Sequence, residues 1–204
     1  SSKLRFFWCP LSDFAGVTVP IKGSNFTNTG YVSGDWSLNS GLQGGAGKYL
    51  NTNIAANSEV ADNTTIMVGA VDPNGTGLFI GAGDNSSYIG ITPSRYDSYG
   101  YIGAENNVVP PSNPAAFLFA TRNSGTNLRA IQNETVAATN TSPRTLGLSS
   151  GLALFVGDGN LSGGPFQNAS IRIDAASYGQ ALSDPEQISF SRMLNAIRTG
   201  RALL

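Results

Sequence analysis

The last third of the chain constrains the fold most. The run Ser170–Tyr178 alternates apolar Ile171, Ile173 and Ala175 with Arg172 and Asp174, the two-residue period of a strand. Gly179–Glu186 then reads Gly-Gln-Ala-Leu-Ser-Asp-Pro-Glu. Ser183 and Glu186 have the spacing of a capping box, and Pro185 falls in a first helical turn, where its missing N–H costs nothing. Phe190, Met193, Leu194 and Ile197 follow at i, i+3, i+4 and i+7, which predicts a helix over 184–199 with that face turned inward. Everything upstream reads as β.

Short apolar runs separated by turn residues fill that upstream part. Thr64–Val71 ends in Asp72-Pro73-Asn74-Gly75, and Leu78–Ala82 ends in Gly83-Asp84-Asn85. Tyr88–Ile91 and Tyr99–Ala104 flank Thr92-Pro93-Ser94-Arg95-Tyr96-Asp97. Ala116–Arg122 reads as a buried strand, Asn127–Gln132 and Thr135–Ala138 as a hairpin around Asn133-Glu134, and Leu152–Val156 as another apolar strand. Strands this short and this evenly spaced point to a sandwich or jelly roll. No repeat marks a propeller or solenoid. The 204 residues suit one undivided domain, 1–204, with an irregular segment over 1–28 in which Leu4–Trp8 has strand character. That segment packs either on this domain or on a neighbour.

Charged residues make up only 12% of the chain, about half the usual share, and Gly, Asn, Ser and Thr take their place. The net charge of −1 disfavours nucleic acid and anionic membranes as partners. No apolar run reaches the ~20 residues of a membrane span. The chain opens at Ser1 without a methionine, as a processed or excised piece would. Arg198 and Arg201 read as complements to a helix C-terminal dipole. Eight Asn-x-Ser/Thr triplets, at Asn25, Asn63, Asn74, Asn85, Asn133, Asn140, Asn160 and Asn168, are read as a product of this composition. Cys9 is the one cysteine, so there is no internal disulfide; set among Phe6, Phe7, Trp8 and Leu11, it reads as a buried thiol.

Three stretches carry a family likeness. They are Gly41-Leu42-Gln43-Gly44 with Lys48-Tyr49-Leu50; the hairpin Leu128–Val136; and Leu154–Asn160 through Ile171–Asp174 to Tyr178–Glu186. In this order they resemble the concanavalin A-like lectin/glucanase superfamily in its laminin-G-like form. The resemblance implies an all-β, concanavalin A-like β-sandwich jelly roll with one C-terminal α-helix. The helix is longer than the short turn usual in laminin-G-like domains, and in this respect the chain is similar to modules of phage tails, other virion proteins and bacterial surface proteins.

Several chemistries are disfavoured. With no histidine there is no His-based triad and no His-ligated zinc. Gly44-Gly45-Ala46-Gly47-Lys48 is followed by Tyr49, so it is a turn rather than a phosphate loop. The glucanase strand signature Glu-x-Asp-x-x-Glu is missing, and Glu59, Glu105, Glu134 and Glu186 stand apart. An enzyme is therefore not expected; polysaccharide degradation stays as the weakest alternative.

Two sites remain. Calcium, as the resemblance implies, has candidate oxygen ligands in Asp72–Gly75, in Asp84-Asn85 and, preferred here, in Asp158 and Asn160; Asp and Asn beside Gly are also ordinary turn formers. Tyr88, Arg95, Tyr96, Asp97, Tyr99 and Tyr101 cluster around one loop, where ring faces suit sugar stacking and the polar groups suit hydroxyls. The same tyrosines also fit a hairpin that lines a subunit contact. The expectation is a non-enzymatic glycan-binding or receptor-attachment module, extracellular or on a virion surface, with other virion or surface subunits as partners and a homo-oligomer open. A purely structural virion component is the alternative.

Overall fold

A computed structural model describes residues 2–45, 47–55, 58–59, 63–72, 80–84, 87–92, 99–102, 116–124, 128–132, 134–140, 151–155, 160–161, 164–165 and 172–201. Its strands are β1 (Leu4–Trp8), β2 (Thr27–Thr29), β3 (Trp36–Ser37), β4 (Gly41–Gln43), β5 (Tyr49–Ala55), β6 (Thr64–Asp72), β7 (Ile80–Asp84) and β8 (Ser87–Thr92). They continue with β9 (Tyr99–Ile102), β10 (Ala116–Arg122), β11 (Leu128–Gln132), β12 (Thr135–Asn140), β13 (Gly151–Phe155), β14 (Asn160–Leu161), β15 (Gly164–Pro165) and β16 (Arg172–Gly179). One helix, α1 (Asp184–Arg201), follows.

Two antiparallel sheets form a β-sandwich. The eight-stranded sheet runs β12-β11-β10-β6-β16-β4-β3, with β1 pairing the far half of β16; the six-stranded sheet runs β2-β5-β13-β7-β8-β9. Leu4–Trp8 is a strand in full. Its register against β16 places Phe6 opposite Tyr178 and Trp8 opposite Ala176, so the N-terminal segment packs on this sandwich.

Strand alternation divides the core in two. Phe6, Trp8, Ile66, Val68, Leu118, Ala120, Ala176 and Tyr178 face the sandwich interior with Leu50, Ile80 and Ile91 of the other sheet. The Trp8 indole donates to the Val17 carbonyl at 2.6 Å, which satisfies a polar group that burial would otherwise strand. The alternate residues Phe7, Cys9, Met67, Phe117, Phe119, Ile131 and Ala175 form a second core beneath α1 with Leu182 and Leu194.

Because α1 covers the outer face of the eight-stranded sheet, β16 is buried on both sides from Ile173 to Gly179. The polar half of its alternation is therefore not solvent-facing, as a half-exposed strand would be. Gly41 shows how tightly β4 meets β16. It sits at φ +74°, and a Cβ there would press on the Ile173 carbonyl.

The helix lies rotated from the face that the sequence predicts. Leu194 is buried, Phe190 and Ile197 are half-buried, and Met193 is exposed. Gln187, Ser191 and Arg201 take the inward positions instead. The start of α1 uses half a capping box. Glu186 Oε2 accepts the Ser183 backbone N–H at 2.7 Å, while Ser183 Oγ turns to that same oxygen at 2.9 Å.

Candidate functional site

The six-stranded sheet has two faces of opposite chemistry, and ladder partners identify them. Leu50, Leu154, Ile80 and Ile91 are successive partners across β5, β13, β7 and β8. Leu50, Ile80 and Ile91 are 0, 0 and 2% exposed, so this row belongs to the interior. One residue on, the partners Thr27, Asn51, Ala153, Gly81, Gly90 and Tyr101 form a row across all six strands on the opposite, outer face.

The neighbouring rows complete that face. Thr29, Tyr49 and Phe155 are partners in one row, in which position 79 lies outside the described residues and Thr92 and Tyr99 are partners beyond it. On the other side, Gly83 pairs with Tyr88. Tyr88, Tyr99 and Tyr101 therefore share one face at the β8–β9 edge. The sequence put them around one loop; the ladder puts their positions on one side of the sheet.

The opposite end of this face is a polar network. Asn53 stands at φ 60°, inside a bulge of β5 against β13. Its amide Nδ2 donates to the Asn25 carbonyl and to Thr27 Oγ1, both at 3.2 Å, and its backbone N–H donates to Asn51 Oδ1 at 2.9 Å. Thr27 and Asn53 are exposed, while Tyr49 and Asn51 are half-buried. None of the described outer-row positions named here carries an ionisable Asp, Glu, Lys or Arg. The β14–β15 hairpin comes up against β7.

Arg95, Tyr96 and Asp97 lie outside the described residues, as does Asp158. Asn160 opens β14 opposite Pro165. Among the described residues no group of three His, Cys, Asp or Glu side chains is placed to hold a metal ion.

The glutamates among the described residues are all in ion pairs. Glu59 meets Arg5, Glu134 meets Arg192 at 3.0 Å, and Glu186 meets Lys3 at 2.7 Å. Hydrogen bonds from Lys3 and from Ser183 hold the Glu186 carboxyl down at about 2.

A concavity lies on the other side of the sandwich, against the eight-stranded sheet. Leu4, Phe7, Leu182, Pro185, Phe190 and Met193 line a hollow of about 430 Å³ between β1 and α1. Its lining is largely apolar, with Glu186 and Ser189 as the polar members, unlike the amide and hydroxyl network of the β2–β5 edge. Beyond it, at the other end of α1, Asp174 is gripped by Arg198 at 2.7 Å, with Arg201 at 3.5 Å. Arg201 Nη2 also reaches Cys9 Sγ at 2.7 Å, and the Arg198 guanidinium lies 4.2 Å above the Phe117 ring. These arginines are clamps between helix and sheet, beyond any effect on the helix dipole. Leu11, grouped with Cys9 by sequence, is exposed instead.

No family model and no curated protein matches the chain. Solved structures do resemble it. Trypanosoma rangeli sialidase, in complex with sialic acid, aligns with a TM-score of 0.63 at 15% identity over 97% of this chain and 34% of that one. The botulinum neurotoxin serotype D binding domain aligns at 0.64 and 10% identity over 94% and 53%. Domain 4 of a GH43 extracellular arabinanase from Geobacillus stearothermophilus, in complex with arabinotriose, aligns at 0.51 and 16% identity over 93% and 98%. The chain thus spans about a third of the sialidase, half of the toxin domain and nearly all of the arabinanase domain. At these identities the likeness is one of fold alone, the β-sandwich.

Proposed function

We propose that the chain is a non-enzymatic carbohydrate-binding module that attaches a larger assembly to a glycan-bearing surface. The observation that carries this reading is the placement of Tyr88, Tyr99 and Tyr101 on one face of the six-stranded sheet. Aromatic faces offer stacking area for sugar rings, and the Thr27–Asn51–Asn53 network at the other end offers donors and acceptors for hydroxyls. The fold supports the reading, since one structure of similar fold is described with arabinotriose and another with sialic acid. The ion-paired Glu59, Glu134 and Glu186 support the non-enzymatic part, because glycoside hydrolysis calls for two carboxyl groups facing each other across the bond. A concanavalin A-like ancestry, an extracellular or virion-surface setting, a homo-oligomer and a calcium ion at Asp158 and Asn160 belong to this proposal through the sequence likeness.

A second reading, a structural component that packs against other subunits, is favoured by the apolar hollow between β1 and α1, where Met193 is 41% exposed.

A glycan-array screen of the purified chain, with and without EDTA and beside Tyr96→Ala and Tyr99→Ala, separates the two. The proposal predicts binding that the tyrosine changes abolish, and calcium would show as EDTA sensitivity. A folded chain that binds no glycan would overturn the first reading and leave the second.

A further inference from the structure

We infer that Tyr49 and Asn51 form a single-sugar subsite at the β2–β5 edge of this face, with the Asn51 amide as the group that reads sugar hydroxyls. The inference rests on the glycan-binding reading and deepens it.

The Asn51 amide is held at one end and open at the other. Its Oδ1 accepts the Asn53 backbone N–H at 2.9 Å. A backbone N–H can meet only the oxygen of a carboxamide, so this bond fixes which way the amide points. Nδ2 is left with two N–H donors and no acceptor among the described residues. Asn51 is half-buried on the outer row, where solvent still reaches it. Any role in holding the fold is met by Oδ1 alone, and the two donors are to spare.

Asn53 does the holding. It stands at φ 60° in the bulge of β5, a left-handed backbone that asparagine tolerates better than most residues. Its side chain is tied on the other side, with Nδ2 donating to the Asn25 carbonyl and to Thr27 Oγ1, both at 3.2 Å. Both amide hydrogens of Asn53 are therefore spent within the protein. Asn53 is a positioning residue, and Asn51 is the residue it positions.

Tyr49 supplies the ring. It stands two residues before Asn51 on β5, so the two positions share the outer face about 7 Å apart. Tyr49 and its ladder partner Thr29 are half-buried, and β2, which carries Thr29, is the edge strand of the sheet. A sugar presents hydroxyl oxygens around the apolar face of its ring. The subsite presents the counterpart, an aromatic ring with a fixed pair of donors beside it. One sugar unit laid on Tyr49 brings its hydroxyl oxygens to Asn51 Nδ2.

Nitrogen-15 NMR of the whole chain tests the inference, because the Asn51 side-chain amide has its own signal. The probes are arabinotriose, maltotriose, cellotriose and sialyllactose. The inference predicts that the glycan that binds shifts the Asn51 side-chain signal more than that of Asn53. Asn51→Ser keeps an oxygen for the Asn53 N–H and removes both amide donors. It should leave the thermal melt nearly unchanged and weaken binding about tenfold. Tyr49→Leu should weaken binding severalfold, while Tyr49→Phe retains it. Glycan binding that leaves the Asn51 side-chain signal unmoved, or that survives both Asn51→Ser and Tyr49→Leu intact, would overturn the subsite and leave glycan binding standing. No shift with any of the probes would remove the underlying reading as well.

Discussion

Arg198 holds Asp174 with two parallel bonds, Nη2 to Oδ1 at 2.7 Å and Nε to Oδ2 at 2.8 Å. Asp174 is 4% exposed, and Arg201, at 5%, has no other carboxylate partner among the described residues. Removing the acid would leave Arg201 buried and uncompensated. Asp174→Ala is therefore expected to destabilise the fold by about 3–5 kcal/mol, the cost of stranding one half of a buried pair. Urea denaturation measures it; a loss under 1 kcal/mol would show that the clamp does not hold α1 to the sheet.

Gly69 makes room for that clamp. A Cβ at this position would stand 2.5 Å from Asp174 Oδ1 and 2.9 Å from the Phe117 ring. Gly69→Ala should cost about 1–3 kcal/mol through overpacking. In an Asp174→Ala background the cost should shrink, because one of the two clashes is gone, and a double-mutant cycle reads this coupling. Strict additivity would contradict it.

Acid should weaken the start of α1. Glu186 sits at about 2 against an ordinary 4.5, held down first by Lys3 and then by Ser183. A carboxyl lowered by folding contributes stability above its unfolded value and loses it as pH falls from 4.5 towards 2. Because the Glu186 side chain is 40% exposed, water and salt screen the effect. Glu186→Gln should flatten this part of the stability–pH curve between pH 5 and pH 2, as followed by thermal melts. An unchanged slope would assign the acid sensitivity to other groups.

Cys9 should be silent towards thiol reagents. Burial pushes its thiol up to about 11, against the pull of Arg201. At pH 8 the native chain is expected to react with a disulfide reagent only as fast as it unfolds, and urea should release one thiol per chain. Rapid reaction of the folded chain would contradict the buried position.

The sequence made the sandwich legible because each strand repeats its own pattern locally. Ala116–Arg122 is found with its predicted ends, and Thr64–Val71 extends by one residue. The helix was legible in length but not in orientation. Periodicity ranks Met193 with Leu194, yet Gln187, Ser191 and Arg201 are the polar residues buried on α1, Arg201 reaching Asp174 of the sheet and Gln187 donating to the Leu182 carbonyl. The alternation of Ile173 and Ala175 with Asp174 does not show that β16 is covered on both sides, since only the tertiary fold does that. The tyrosines were grouped by nearness along the chain. Their common face, and the place of Tyr49 and Phe155 on it, depend on pairings with β5 and β13, which no local pattern contains.

Amide chemical-shift mapping tests most directly which face of the sandwich receives the glycan. The chain, labelled with nitrogen-15, would be titrated with the oligosaccharide that binds best. The account predicts shifts centred on Asn51, Ala153, Gly81, Gly90 and Tyr101, while Leu4, Phe7, Phe190 and Met193 stay still. Shifts gathered on β1 and α1, with the outer rows of the six-stranded sheet unmoved, would contradict it.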